Sequence, residues 1–317
     1  MAFLDRLLGR KPADAAPAGV FPSLPADVVP GATTPEAAPG EISLVSIARP
    51  VWSYGLEAIP GLLPPKEGPA KRIAFAQLAT PGLSDLRERL ARPEDELGRL
   101  ARGLPLWLAE TLYFSPNYTP IAVIALLDNS RHVLIPRPWS RANIQQIIDT
   151  ATDRLDYVVS GTLTEGSGGE RSLTLSLWDV AKAVERKTWS VRWQPETADR
   201  ELAGFHQHFR VFMEWNDHPP GVGLAYAPPS RPAHWIQTHG ACASMFLAEK
   251  VSLARETLAL NADVIDLVAE QAVTGESASL AWLTLSNRAR RLGLVPSVPA
   301  VQLLPTALVK AADAALA

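Results

Sequence analysis

Between residues 156 and 193 the chain alternates apolar and polar residues in three successive runs, and this alternation restricts the fold more than any other feature. Leu173, Leu175 and Leu177 are separated by Thr174 and Ser176, and Trp189, Val191 and Trp193 by Ser190 and Arg192. A period of two sends successive side chains to opposite faces of a strand, so each run has one face for a core and one for water. The predicted unit is a three-stranded meander covered on one side, with strands at 156–163, 171–178 and 187–193. In such a sheet Trp189 and Trp193 belong to the core rather than to a ligand platform.

The turn between the first two runs, 165–169, is rich in glycine and invites comparison with a phosphate loop. Gly161 and Gly166 have the Walker spacing, but Ser167 stands where the phosphate-binding lysine must be. A phosphate loop also opens a helix, whereas a strand pattern follows here. The segment is therefore a hairpin tip, with glycines supplying positive φ.

Upstream, 72–79 is apolar on both faces (Ile73, Phe75, Gln77 and Ala79 against Ala74, Ala76 and Leu78), the mark of a central, covered strand. Ser84 and Asp85 signal one helix start; Pro93 with Glu94, Asp95 and Glu96 signals a second, which accounts for these adjacent carboxylates. Leu97, Leu100, Leu104, Trp107, Leu108 and Leu112 repeat at helical spacing, giving a core-facing helix over 94–113 that Pro105 should kink or split. Segments 119–127 and 132–136 read as strands, 142–152 and 199–215 as helices. Residues 41–71 carry too many prolines for a central strand and read as an irregular arm, with edge pairing at 43–47.

This order of elements is similar to that of the TolB amino-terminal, or TolB-like, domain family. The resemblance covers about 70–195 and is carried by Asp156, Tyr157, Val158, Val159, Ser160 and Gly161, then by 173–179 and by Trp189 with Ser190. It implies a small α/β domain without catalytic residues, used for protein contacts or as an accessory sensing module. The turn at 180–185 is longer than the family's, and no β-propeller repeat follows.

Seven prolines between Pro12 and Pro39 fix φ and remove amide donors, so 12–40 reads as a disordered, Pro/Ala-rich tether. Ahead of it, Phe3, Leu4, Leu7 and Leu8 gather on one side of a short helix over 1–11, a docking face that becomes ordered only against a partner, a membrane surface or the rest of the chain. With Arg6, Arg10 and Lys11 it makes a weak membrane anchor. The competing reading is a frayed terminus. No signal-peptide core and no run long enough to span a bilayer is present, and the single cysteine, Cys242, forms no intrachain disulfide. A cytoplasmic protein is expected, at most peripheral at the inner face of the membrane. A net charge of -3 argues against nucleic acid as a partner.

Beyond a Pro-rich linker at 216–234, apolar helical patterns at 235–260, 263–273, 277–292 and 305–316 form an all-α region extending to 317. Arg288, Arg290 and Arg291 there complement a helix dipole and stay solvated. The fold class is thus α/β, a mixed sheet with flanking helices over 72–215, followed by helices. Five of six histidines fall within 206–242 beside Cys242, but His206 and His208 point about 200° apart on a helix and cannot share one ion. No metal and no cofactor is expected. Trp215, Tyr226 and Trp235 mark the long loop as a contact surface, against the alternative of a stiff linker. No catalytic motif appears, so the expected role is a non-enzymatic adaptor or scaffold for unidentified protein partners. The alternative is a small-ligand or metal-responsive sensor using 206–242.

Overall fold

The computed structural model describes residues 42–66, 68–127, 131–151, 153–221, 223–250, 262–293 and 301–316. The docking face at Phe3, Leu4, Leu7 and Leu8 and the tether at 12–40 lie outside the described residues. Within them, seven strands form one mixed sheet in the order β1-β3-β2-β5-β6-β7, with β4 beside β3. The strands are β1 (Ile42–Ile47), β2 (Lys71–Ala76), β3 (Tyr118–Leu127), β4 (Arg131–His132), β5 (Tyr157–Glu165), β6 (Arg171–Asp179) and β7 (Val184–Trp193). β2 runs parallel to β3 and β5, and every other pairing is antiparallel.

β2 is central for the reason its sequence gives: Ile73, Ala74, Phe75 and Ala76 are all buried, on alternate faces. The 156–193 meander is present as β5, β6 and β7, with Trp189 and Trp193 in the core. Its first turn carries Gly168 and Gly169 at φ 68° and 82°, joining strand to strand. Gly161, inside β5, has a different cause: a Cβ there would sit 2.2 Å from the Thr174 carbonyl oxygen.

Helices α1 (Leu86–Ala91) and α2 (Glu96–Tyr113) connect β2 to β3, and α3 (Arg141–Thr150) precedes β5. α3 packs on one face through Ile144 and Ile147, against Ala74, Ala76 and Val158. The opposite face receives α2 and α4 (Ala198–Phe212), and α5 (Pro232–Lys250) lies across α2. The outer helices α6 (Ala262–Gln271), α7 (Glu276–Arg291) and α8 (Ala307–Leu316) share that same continuous buried cluster.

α2 and α5 approach closely because two glycines meet the opposing backbone. A Cβ on Gly103 would stand 2.0 Å from the Ile236 carbonyl oxygen, and one on Gly240 would stand 2.7 Å from that of Arg99.

Several local expectations are corrected. Pro105 does not split α2, which runs as one helix from Glu96 to Tyr113. It cannot donate to the Ala101 carbonyl one turn earlier, and the Leu78 amide does so instead, at 3.0 Å. Only Asp95 caps α2, accepting from the Gly98 amide at 2.9 Å; Glu94 turns inward to Arg102. The strand predicted at 132–136 shrinks to β4 because the buried Gln77 amide takes the Val133 carbonyl and accepts from the Ala125 amide, at 2.7 and 3.0 Å. The edge pairing expected at 43–47 is present, with β1 at the sheet edge beside β3, while the rest of the 41–71 arm packs inward and Val51, Trp52, Tyr54, Leu56 and Leu62 are buried. Arg288 is not solvated either. It is 3% exposed, pairs with Glu249 at 3.1 Å and donates to the Tyr54 carbonyl.

Candidate functional site

Two consecutive residues of α2, Glu110 and Thr111, hold together four separate parts of the chain. The Glu110 carboxylate is buried where a lone charge is strongly disfavoured, and three N–H groups answer it. Trp52 Nε1 donates to Oε1 at 2.6 Å, while Trp235 Nε1 and His239 Nε2 donate to Oε2 at 2.9 and 2.8 Å. The arm and α5 are thus fastened to α2 through one side chain. His239 must carry its proton on Nε2 to donate there.

Thr111 faces the other way. Its hydroxyl lies 3.0 Å from His206 Nε2 and 3.0 Å from the Tyr226 hydroxyl, and those two atoms are 3.1 Å apart, closing a triangle. The Thr111 carbonyl accepts from Trp215 Nε1 at 2.6 Å, and the Trp107 ring stacks on His206 at 4.5 Å. Burial, with the Arg210 charge nearby, lowers the His206 pKa to about 3, and burial raises the Tyr226 phenol. Both are neutral at pH 7.

His206 has a consequence for acid stability. Its folded pKa lies below the ordinary value near 6.5, so in that window the unfolded chain binds the proton more readily and stability falls as pH drops from about 6.5 toward 3. His206→Gln keeps a polar partner for Thr111 and is expected to flatten this part of the pH profile. Urea denaturation from pH 7 to pH 4 checks this; an unchanged slope would mean His206 charges freely in the folded state.

A second buried cluster joins α2 to β4 and α5. Arg102, 1% exposed, pairs with Glu94, donates to Ser244 Oγ at 2.9 Å and meets His132 Nδ1. Burial pushes the Glu94 carboxyl up, while the adjacent guanidinium opposes that push; burial and the same guanidinium hold His132 well below its usual range.

The Thr111 cluster reaches the surface at the end of α4. There Gln207, Arg210, Val211, Glu214, Trp215 and Asn216 line an open cleft of about 330 Å³. The Arg210 guanidinium lies 3.9 Å from the Trp215 ring centroid, and Val211 beside it is 73% exposed. Among the described residues Arg210 has no carboxylate partner. An indole held from beneath and faced by a cation forms a preorganised shelf.

The structure therefore brings Trp215 and Tyr226 together, ring centroids 5.5 Å apart, while Trp235 is buried on the Glu110 side of the same hub. The histidines are dispersed. His206 and His239 serve Thr111 and Glu110, His208 is exposed, and His234 meets Arg231 at 3.0 Å. No group of three His, Cys, Asp or Glu side chains among the described residues could hold a metal. Cys242 is buried, which pushes its thiol up to about 12. Glu110, Thr111 and Arg210 escaped the sequence reading. The available signal was an acid embedded in the apolar stripe formed by Trp107, Leu108 and Leu112.

No family model and no curated protein matches the chain. Solved structures that match include TolB from Acinetobacter baumannii, at 12% identity and TM-score 0.25 over 55% of this chain and 32% of that one. The match thus spans about a third of the TolB length. A lipoprotein from Neisseria meningitidis matches at 15% identity and TM-score 0.23, over 46% of this chain and 96% of that one. A homolog of neuraminyllactose-binding hemagglutinin from Helicobacter pylori matches at 12% identity and TM-score 0.22, covering 51% and 90%. Likeness at this level assigns neither a function nor a site. No helix among the described residues is long and apolar enough to cross a membrane.

Proposed function

We propose that this chain is a non-enzymatic adaptor that binds a protein partner at the Arg210–Trp215 cleft, with residues 1–11 as a second, tethered contact. The observation that carries this reading is the shelf itself. Trp215 is fixed by Thr111, Arg210 stacks on its ring, and Val211 stands exposed next to them. Tryptophan and arginine supported in this way are the residue types that dominate protein interfaces, because they lose little freedom on binding. The buried acids and bases support the same reading: Glu110, Glu94, Arg102 and His206 are each engaged by neighbouring side chains within the fold.

Val211→Asp tests the cleft without touching the core. It is expected to weaken capture of the partner from native extract by about 10-fold to 100-fold, the range of an interface anchor, while the melting temperature stays unchanged. Deleting 1–11 should remove a different subset of captured proteins. Identical captured sets from all three forms would overturn the adaptor reading. A small-ligand sensor using 206–242 would instead show a ligand-induced rise in melting temperature that Val211→Asp abolishes with no change in captured protein.

A further inference from the structure

The sheet ends at β7, which among the described residues pairs with β6 alone. Its outer edge presents amides and carbonyls with no ladder partner, interrupted by a bulge at Arg186 where the register with β6 shifts, and an extended chain can add to the regular row from Lys187 to Trp193. The first half of the strand, Val184 through Thr188, is exposed, as are Ser190 and Arg192 further along. The charges along it are biased. Arg186, Lys187 and Arg192 stand against one acid, Glu185, whose carboxylate takes the Thr188 hydroxyl.

None of the three cations has a carboxylate partner among the described residues. Arg186 donates to the Tyr157 hydroxyl at 2.8 Å. Arg186 and Lys187 also lie 5.7 and 5.9 Å from the Phe212 ring centroid. Phe212 in turn meets Trp189 edge-on at 5.2 Å, so the inner side of the strand is braced and its edge is held in place. Lysine and arginine on an edge strand discourage pairing with a second copy of the same strand, because like charges meet. The same charges favour a strand of opposite sign, and Val184, 48% exposed, adds an apolar contact at one end.

We propose that β7 captures an acidic, extended segment of a partner protein by strand addition. Main-chain hydrogen bonds supply the attachment, and Arg186 and Lys187 on the Phe212 side of the sheet, with Arg192 on the opposite side, select for glutamate or aspartate on both faces of the added strand. This surface is distinct from the Arg210–Trp215 cleft and stands whether or not the cleft binds anything.

The test uses the full chain and a fluorescent eight-residue peptide in which pairs of glutamates alternate with pairs of valines, so that glutamate stands on both faces, followed by anisotropy at low salt. Two N-methylated versions, one for each alternate set of amides, block one hydrogen-bonding edge each. A fourth peptide replaces glutamate with lysine. The acidic peptide should bind, one N-methylated version should bind at least 10-fold more weakly, and the lysine peptide should not bind. Arg192→Glu combined with Lys187→Glu, both exposed, should weaken the acidic peptide at least 10-fold with the melting temperature unchanged. If both N-methylated peptides bind like the parent, the attraction is charge alone and strand addition is wrong. Absence of any binding by the acidic peptide would equally overturn it, leaving the charges as protection of a solvated edge.

Discussion

Glu110→Ala is expected to lower the stability of the fold by about 4 kcal/mol, because it orphans buried indole and imidazole donors that each cost about 1–3 kcal/mol when unpaired. The change leaves Trp52 Nε1, Trp235 Nε1 and His239 Nε2 facing a cavity. Water entering that space would relieve part of the loss, so the total falls below the sum of three full penalties. For a chain of this size the melting temperature should drop by about 10 °C. Glu110→Gln preserves volume but turns an amide NH₂ toward groups that themselves donate, and should fall between. The coupling can be isolated. Trp52→Phe should cost clearly less in the Glu110→Ala background than in the parent, since its N–H partner is already gone. Urea denaturation of the four proteins measures this, and strictly additive losses would show that the carboxylate does not hold the indole.

Gly103→Ala is expected to cost about 3 kcal/mol, the upper range for forcing a methyl group into a packed interior. The added carbon would stand 2.0 Å from the Ile236 carbonyl oxygen, and a backbone atom cannot rotate away as a side chain does. α5 would have to retreat from α2, loosening the Trp235 and His239 bonds to Glu110 on the same helix. Gly204→Ala supplies the contrast. Gly204 lies in the interior of α4 with nothing within 4 Å of the added carbon. The same chemical change there should stabilise by about 0.5–1 kcal/mol through reduced unfolded-state freedom and better helix propensity. Opposite signs in thermal melts are the predicted outcome. Equal tolerance of the two would mean that α2 and α5 do not cross at Gly103.

The parts of this fold that were legible in the sequence are those governed by local period. Leu173, Leu175 and Leu177 announce β6, and the double-sided apolar run at 72–79 announces the central strand. Two of the three glycines of the 165–169 tip, Gly168 and Gly169, are legible as positive-φ positions, whereas Gly166 is extended, and Trp189 and Trp193 are legible as core. What local pattern could not reveal is where a polar residue finds its partner across the chain. Glu110 and Trp52 are 58 residues apart, and Arg102 and Ser244 are 142 apart. Arg288 looked like a solvated helix terminus because nothing nearby in sequence signals Glu249 or the Tyr54 carbonyl. Pro105 misled for a related reason: the amide that relieves its missing hydrogen bond belongs to Leu78, at the end of a strand. The three aromatic residues singled out in the loop region do converge on one hub, but Trp235 does so from inside the core, and the hub residues joining them were invisible to periodicity.

The central functional claim is that the surface beside Trp215 meets another protein. The most direct measurement places a photo-crosslinking amino acid at position 211 in living cells, with position 201 on the same helix as a control. One dominant crosslinked polypeptide is expected from position 211, absent from position 201 and lost when Arg210 is changed to glutamate. Crosslinking no different from the control position would contradict it.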